Sequence, residues 1–159
     1  MTELPQTLPN GLLPEGLCDL TLEQVRSLFG QFQHSDRRCR LFEKLTRYVR
    51  EVGQAGWGAK IVIDGSFVMS CVDAPEDVDL VLVLPTDWDI AAELRPHEYN
   101  VISKRMVRRL YGFDVFAVRA GSEEERRWLE FFAQVNVKWS NPPCRLPTGA
   151  RKGLVRISP

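Results

Sequence analysis

The chain has no surplus of charge of either sign, because 21 lysines and arginines face 21 aspartates and glutamates. That balance removes any general electrostatic pull toward nucleic acid or an anionic membrane, while leaving room for a local basic patch. Long apolar runs are also missing. Nothing approaches the roughly 20 residues that span a bilayer, so no membrane association is expected. The start, Met1-Thr2-Glu3-Leu4-Pro5, lacks the basic residues and apolar stretch of a secretory signal. Cysteine is sparse: Cys18, Cys39, Cys71 and Cys144 contain no C-x-x-C pair, which argues against a zinc site and against a disulfide framework. Cys71, beside an apolar segment, reads as a reduced packing residue. These absences together predict a cytoplasmic protein. A P-loop, a dinucleotide fingerprint and a Ser/His/Asp set are absent as well, and no internal repeat is visible.

What is present is an ordinary globular composition, 44% hydrophobic and 26% charged over 159 residues, the size of one domain. Residues 1–20, with Pro5, Pro9, Pro14, Gly11 and Gly16, read as an extended leader, draped over the domain or loose. Residues 21–139 carry the periodic patterns of the domain. Residues 140–159 form a tail rich in proline and glycine, whose end, Leu154-Val155-Arg156-Ile157, is expected to add an edge strand.

Within the domain, Thr21 and Gln24 form a capping box for a first helix that stops at Gly30, with Leu20 and Val25 placed as a hydrophobic staple. A longer helix is predicted from Ser35 to Val52, with Leu41, Leu45, Tyr48, Val49 and Val52 on one face. The β-branched run Lys60–Asp64 reads as a buried strand ending at Gly65. Val78–Leu84 reads as a second strand, covered on both faces. Residues 86–97 look like a loop or short helix, followed by a helical stripe of Ile102, Met106 and Leu110 with Lys104, Arg105, Arg108 and Arg109 opposite. Phe113–Val118 is the third strand, and Ser122 with Glu125 caps a last helix through Trp128, Leu129 and Phe132. The fold class is therefore α/β (α+β), with a small mixed central sheet flanked by helices.

The chemistry concentrates in Ile63-Asp64-Gly65-Ser66, a gap of ten residues, and Asp77-Val78-Asp79-Leu80. A Gly-Ser turn after a strand offers backbone N–H groups and a hydroxyl, and glycine there lets a phosphate come close. Side chains alternate along a strand, so Asp77 and Asp79 point the same way. With no lysine or arginine between them they repel unless a cation sits there, and Mg²⁺ prefers such oxygen ligands. If the third strand lies beside the second, Asp114 completes a two-metal site.

Gly-Ser, ten residues and Asp-x-Asp together resemble the signature of the minimal nucleotidyltransferases. That superfamily includes DNA polymerase β-like enzymes, antibiotic adenylyltransferases and nucleotidyltransferase components of bacterial toxin–antitoxin systems. The resemblance covers about residues 35–118 and implies a nucleotidyltransferase fold. It also implies that Gly65 and Ser66 contact the phosphates of an NTP, most simply ATP. Asp77 and Asp79 would bind both Mg²⁺ ions, and Asp114 would ligate the catalytic one and act as or orient the base. More closely, Leu13-Pro14-Glu15-Gly16, Ile63-Asp64-Gly65-Ser66-Phe67-Val68 and Lys152-Gly153-Leu154-Val155-Arg156-Ile157 resemble an uncharacterised bacterial nucleotidyltransferase-like family.

The expected function is Mg²⁺-dependent transfer of an NMP from an NTP to a hydroxyl of a protein or RNA acceptor, and the resemblance extends this to a place in a bacterial toxin–antitoxin or defence system. A homodimer or partner protein would supply recognition. Two alternatives stay open: a partner-binding component without catalysis, and a nucleotide sensor without turnover. Asp64, Asp73 and Glu76 read as turn or loop acids. The basic helix face reads first as solvated and second as a triphosphate or RNA contact. Trp88 is a packing residue or a stacking surface for a base.

Overall fold

The structure, a computed structural model, describes residues 4–159. Two runs of β-branched and aliphatic residues organise it. Strand β2 (Lys60–Asp64) pairs antiparallel with β3 (Asp79–Leu84), and β3 pairs parallel with β4 (Asp114–Arg119). On the other side of β2 lies β5 (Leu154–Ile157), antiparallel, and beyond it β1 (Leu17–Asp19), parallel to β5. The sheet order is β1-β5-β2-β3-β4. With five helices flanking this mixed sheet, the fold class is α+β, as the sequence predicts.

Alternation along each strand sorts the core into two layers. Leu80, Leu82 and Leu84 face a cluster built from α1 (Leu22–Phe29), α2 (Arg37–Ala55), α3 (Pro96–Ile102) and α4 (Lys104–Tyr111). Val81 and Val83 face the other way, with Val62, Val118 and Phe132 of α5 (Glu123–Ala133). The second strand is thus covered on both faces, as its continuous apolar character implies.

The helix signals read from sequence are realised at their caps. Thr21 accepts from the Gln24 amide while the Gln24 side chain accepts from the Thr21 amide, and α1 ends at Gly30. Leu41, Leu45, Tyr48, Val49 and Val52 form the buried face of α2, which runs three residues beyond the expected end before Gly56 closes it with a φ of 69°. Ser122 accepts from the Glu125 amide at the start of α5.

Three expectations are corrected. Leu154–Ile157 forms a strand, but inside the sheet between β1 and β2. The edge belongs to the leader, whose residues 17–19 are β1 and whose Leu12 and Leu13 are fully buried. Gly153 makes this possible: its amide donates to Leu13, and a Cβ there would lie 1.9 Å from the Pro14 carbonyl oxygen. The stripe Ile102-Met106-Leu110 is not the buried one. Ser103 interrupts the helix and caps α4, which shifts the phase so that Val101, Val107 and Tyr111 are buried and Leu110 is exposed. Finally, Cys71 and Cys144 form a disulfide, leaving Cys18 and Cys39 as thiols. Seventy-three residues apart in sequence, they meet over a small third cluster of Leu12, Met69, Val72 and Leu146. Among the described residues no helix is long and apolar enough to cross a membrane.

Arg38 is the buried polar residue that holds the loop after β2. Its Nη1 donates to the carbonyls of Phe29 (3.2 Å) and Phe67 (2.7 Å), and its Nη2 to those of Met69 (2.7 Å) and Val72 (2.6 Å). Burial lowers its pKa to about 10, which leaves it charged at neutral pH. Arg38→Met removes a donor from four carbonyls, of which Met69 still accepts from the Val72 amide, and should cost about 3 kcal/mol or more in urea denaturation. Arg38→Lys should recover little, because one ammonium cannot serve that fork. Near-native stability in both variants would show that the loop is held by other contacts.

Candidate metal centre and cleft

Pairing register brings the acids together. In the antiparallel β2–β3 pair Asp64 lies opposite Asp79, and in the parallel β3–β4 pair Asp79 lies beside Asp114. Each falls in phase with residues on the α5 side: Asp64 with Val62, Asp79 with Val81, Asp114 with Phe116 and Val118. Three neighbouring strands therefore end in a row of carboxylates on one face of the sheet. Asp77, two residues before Asp79, joins it. Asp77, Asp79 and Asp114 each offer an oxygen within 4.8 Å of the others, at intermediate exposure.

Asp77 and Asp79 line a cleft of about 530 Å³, with Asp114 adjoining them. One wall is Gly65, Ser66 and the loop from Ala74 to Asp77. The other is the end of α5 and the following 3₁₀ turn (Val137–Ser140), including Phe131, Lys138 and Trp139. Its size lies within the range of small-molecule sites.

Gly65 has a φ of 81°, and a Cβ on it would stand 2.6 Å from Asp79 Oδ2. The turn is expected from sequence to admit a phosphate. In the structure the space beside Gly65 admits first the carboxylate of Asp79. Burial pushes the Asp79 pKa up to about 6, and the charges of Asp77 and Asp114 push the same way. Lys152 and Arg108 oppose the rise.

Three participants were not legible as such in the sequence. Arg108, assigned there to a solvated or ligand-facing helix face, places Nη1 3.1 Å from Asp77 Oδ2 and 3.8 Å from Asp114 Oδ1. It supplies the cation that is missing from the Asp-x-Asp segment itself. Asp64, read as a turn residue, is fully buried, and neither carboxylate oxygen has a hydrogen-bond partner. Burial raises its pKa well above the usual carboxylate range. Lys152, 4% exposed, carries the positive charge felt by both Asp64 and Asp79. No periodic signal marks Lys152, and only the register of β5 against β2 brings it here.

Other candidates fall outside the row. Gln33 donates to Asp73, and Arg37 donates to the backbone carbonyl of Glu76, so both belong to loop structure. Trp88 packs edge-on against Trp57, 5.1 Å between centroids, and does not line this cleft. Lys104 sits over the Phe116 ring at 4.3 Å.

The donor set fits a hard divalent cation: oxygen ligands only, clustered and partly open to the cleft. Arg108 would have to withdraw from Asp77 and Asp114, an exchange at the surface that costs about 1 kcal/mol or less.

The profile of a family of unknown function, DUF6932, matches residues 5–158, and the chain belongs to that family. No curated protein and no solved structure matches it.

Two outcomes are expected. Gly65→Ala adds a methyl where Asp79 Oδ2 lies and strains a left-handed turn. Mn²⁺ affinity should fall about tenfold while the sheet stays folded, a change of about 1.4 kcal/mol. Unchanged Mn²⁺ titration would separate Gly65 from the carboxylates. Second, the folded state holds the Asp79 proton up to about 6 against an ordinary 3.8. Through that interval the folded chain binds more protons than the unfolded one, so metal-free stability should fall as pH rises. A cation displaces the proton, so Mn²⁺ binding should strengthen as pH climbs through 6. Binding that is flat from pH 5 to 7 would contradict this assignment.

Proposed function

We propose that this chain is a divalent-metal-dependent nucleotidyltransferase that moves an NMP from an NTP to a hydroxyl of a protein or RNA acceptor. The observation that carries the reading is the carboxylate row at the ends of β2, β3 and β4, whose Asp79, with Asp77, shares one cleft with the Gly65-Ser66 turn. Asp77, Asp79 and Asp114 would hold Mg²⁺, which when bound neutralises phosphate charge and acidifies a hydroxyl. Gly65 and Ser66 would meet the phosphates with backbone N–H groups and a hydroxyl. Asp114, at the cleft end of edge strand β4, would orient the acceptor hydroxyl and take its proton. The acceptor oxygen then bonds to the α-phosphorus, the bond to the β-phosphate oxygen breaks, and pyrophosphate leaves.

The resemblance of Gly-Ser and Asp-x-Asp spacing to nucleotidyltransferases supports this reading independently of the geometry. ATP is the first nucleotide to try. Calorimetric titration of each NTP, with and without Mg²⁺, should give Mg²⁺-dependent binding that Asp77→Asn/Asp79→Asn abolishes while the fold persists. Absence of binding by folded wild type would overturn the proposal and favour a partner-binding role without catalysis.

A further inference from the structure

The buried charge at the back of the cleft has no place yet in that chemistry. Lys152 lines the cleft although only 4% of its surface is exposed. Among the described residues its ammonium makes no hydrogen bond and no ion pair within 4.0 Å, and unlike the two Asp64 oxygens it is not sealed from the cleft. Burying an ammonium without hydrogen bonds is costly, and such a group ordinarily stays in water. Its compensation is Coulombic only, from Asp64 behind it and Asp79 beside it. Asp64 is equally unsatisfied, with both carboxylate oxygens sealed off and without a donor. The protein therefore holds one largely buried lysine in a cleft that Glu76, Asp77 and Asp79 also line, with its three donor positions unused by the fold.

We propose that Lys152 is the anion-binding residue of this cleft, taking a phosphoryl oxygen of a ligand whose other oxygens lie toward Asp77, Asp79 and Asp114. The inference deepens the nucleotidyltransferase reading, since it assigns the phosphate-recognising cation, and it rests on that reading for the choice of ligand. Physically, a desolvated ammonium interacts more strongly with an entering anion than a surface lysine does, because less water screens the charge. Asp64 favours the charged form of the lysine by Coulombic attraction and makes no hydrogen bond that would compete with a ligand. The basic face of α4 is a poorer candidate, because Arg108 is engaged with Asp77 and Asp114 and Lys104 with the Phe116 ring.

The decisive feature is a difference of sign. A cation beside the acids repels a metal ion and attracts a polyphosphate, so its removal should move the two affinities in opposite directions. A residue that merely supports the fold would weaken both. Because Lys152→Met alone leaves Asp64 buried without compensating charge, the test compares Asp64→Asn with Asp64→Asn/Lys152→Met, both checked for a cooperative melt. Titration with Mn²⁺ alone should be unchanged or a few-fold tighter in the double variant. Inorganic tripolyphosphate, with Mn²⁺ present, should bind about tenfold to a hundredfold more weakly, the range for losing a charged hydrogen bond. Lys152→Arg should retain part of the tripolyphosphate affinity.

Parallel loss of both affinities, or tripolyphosphate binding indifferent to residue 152, overturns the inference. Failure of the enzyme reading is distinguishable. If wild type binds no Mn²⁺, metal-free tripolyphosphate should still raise its melting temperature, and Lys152→Met in the Asp64→Asn background should remove that shift. Wild type that ignores tripolyphosphate under both conditions excludes the assignment. ATP run in parallel separates a nucleotide from a simple polyphosphate as the anion's source.

Discussion

The guanidinium of Arg38 is where the end of α1, the body of α2 and the loop after β2 are held to one another. Four carbonyls converge on it from Phe29, Phe67, Met69 and Val72, and three of those lie between Gly65-Ser66 and Asp77. An irregular loop can be buried only if its backbone groups find partners. Here one side chain serves three of its carbonyls, and Gln33 and Arg37 serve three more. Tyr48 adds a second tie of this kind, its hydroxyl donating to the Val101 carbonyl at 2.8 Å and so joining α2 to α3. The Cys71–Cys144 bond fastens the same loop to the tail, and Ser70 donates to Gly11 of the leader. The leader, the tail and the loop therefore share one support, and the cleft is shaped by all three.

On this support the protein assembles charge in an arrangement that opposes its own stability. Asp64, Asp79 and Asp114 occupy adjacent register positions, and Asp77 stands next to them. Burial raises the proton affinity of Asp64 and Asp79, and neighbouring carboxylates add to the effect. Arg108 and Lys152 offset part of the repulsion. Gly65 completes the arrangement by leaving room for Asp79, in a conformation that a side chain would resist. These carboxylates, perturbed and clustered beside a cleft, are the feature on which the proposed metal site rests.

The elements visible in the sequence were those with local causes. Capping boxes at Thr21 and Ser122, the apolar face of α2, and the runs at Lys60–Asp64 and Asp79–Leu84 each express short-range chemistry: a side-chain oxygen near an amide, or a 3.6- or 2-residue period. The closeness of Asp77 and Asp79 was legible from their spacing, although Asp77 lies in the loop before β3 rather than in the strand. Where a local signal failed, a local break explains it: Ser103 reset the phase between Val101 and Val107, which the stripe through Leu110 had run straight across.

Long-range pairing was not available to that reasoning. By itself the sequence determined the class of fold, the Gly-Ser turn and the acidic nature of the site, because period, capping and residue type act within a few positions. Tertiary structure alone decided the rest. It placed Leu154–Ile157 inside the sheet, set Asp114 and Asp64 on either side of Asp79, brought Cys71 to Cys144 across 73 residues, and delivered Arg108 and Lys152 to the carboxylates. Those outcomes depend on strand register and on which segment fills the space between β1 and β2, quantities that the whole core settles at once and no single segment encodes.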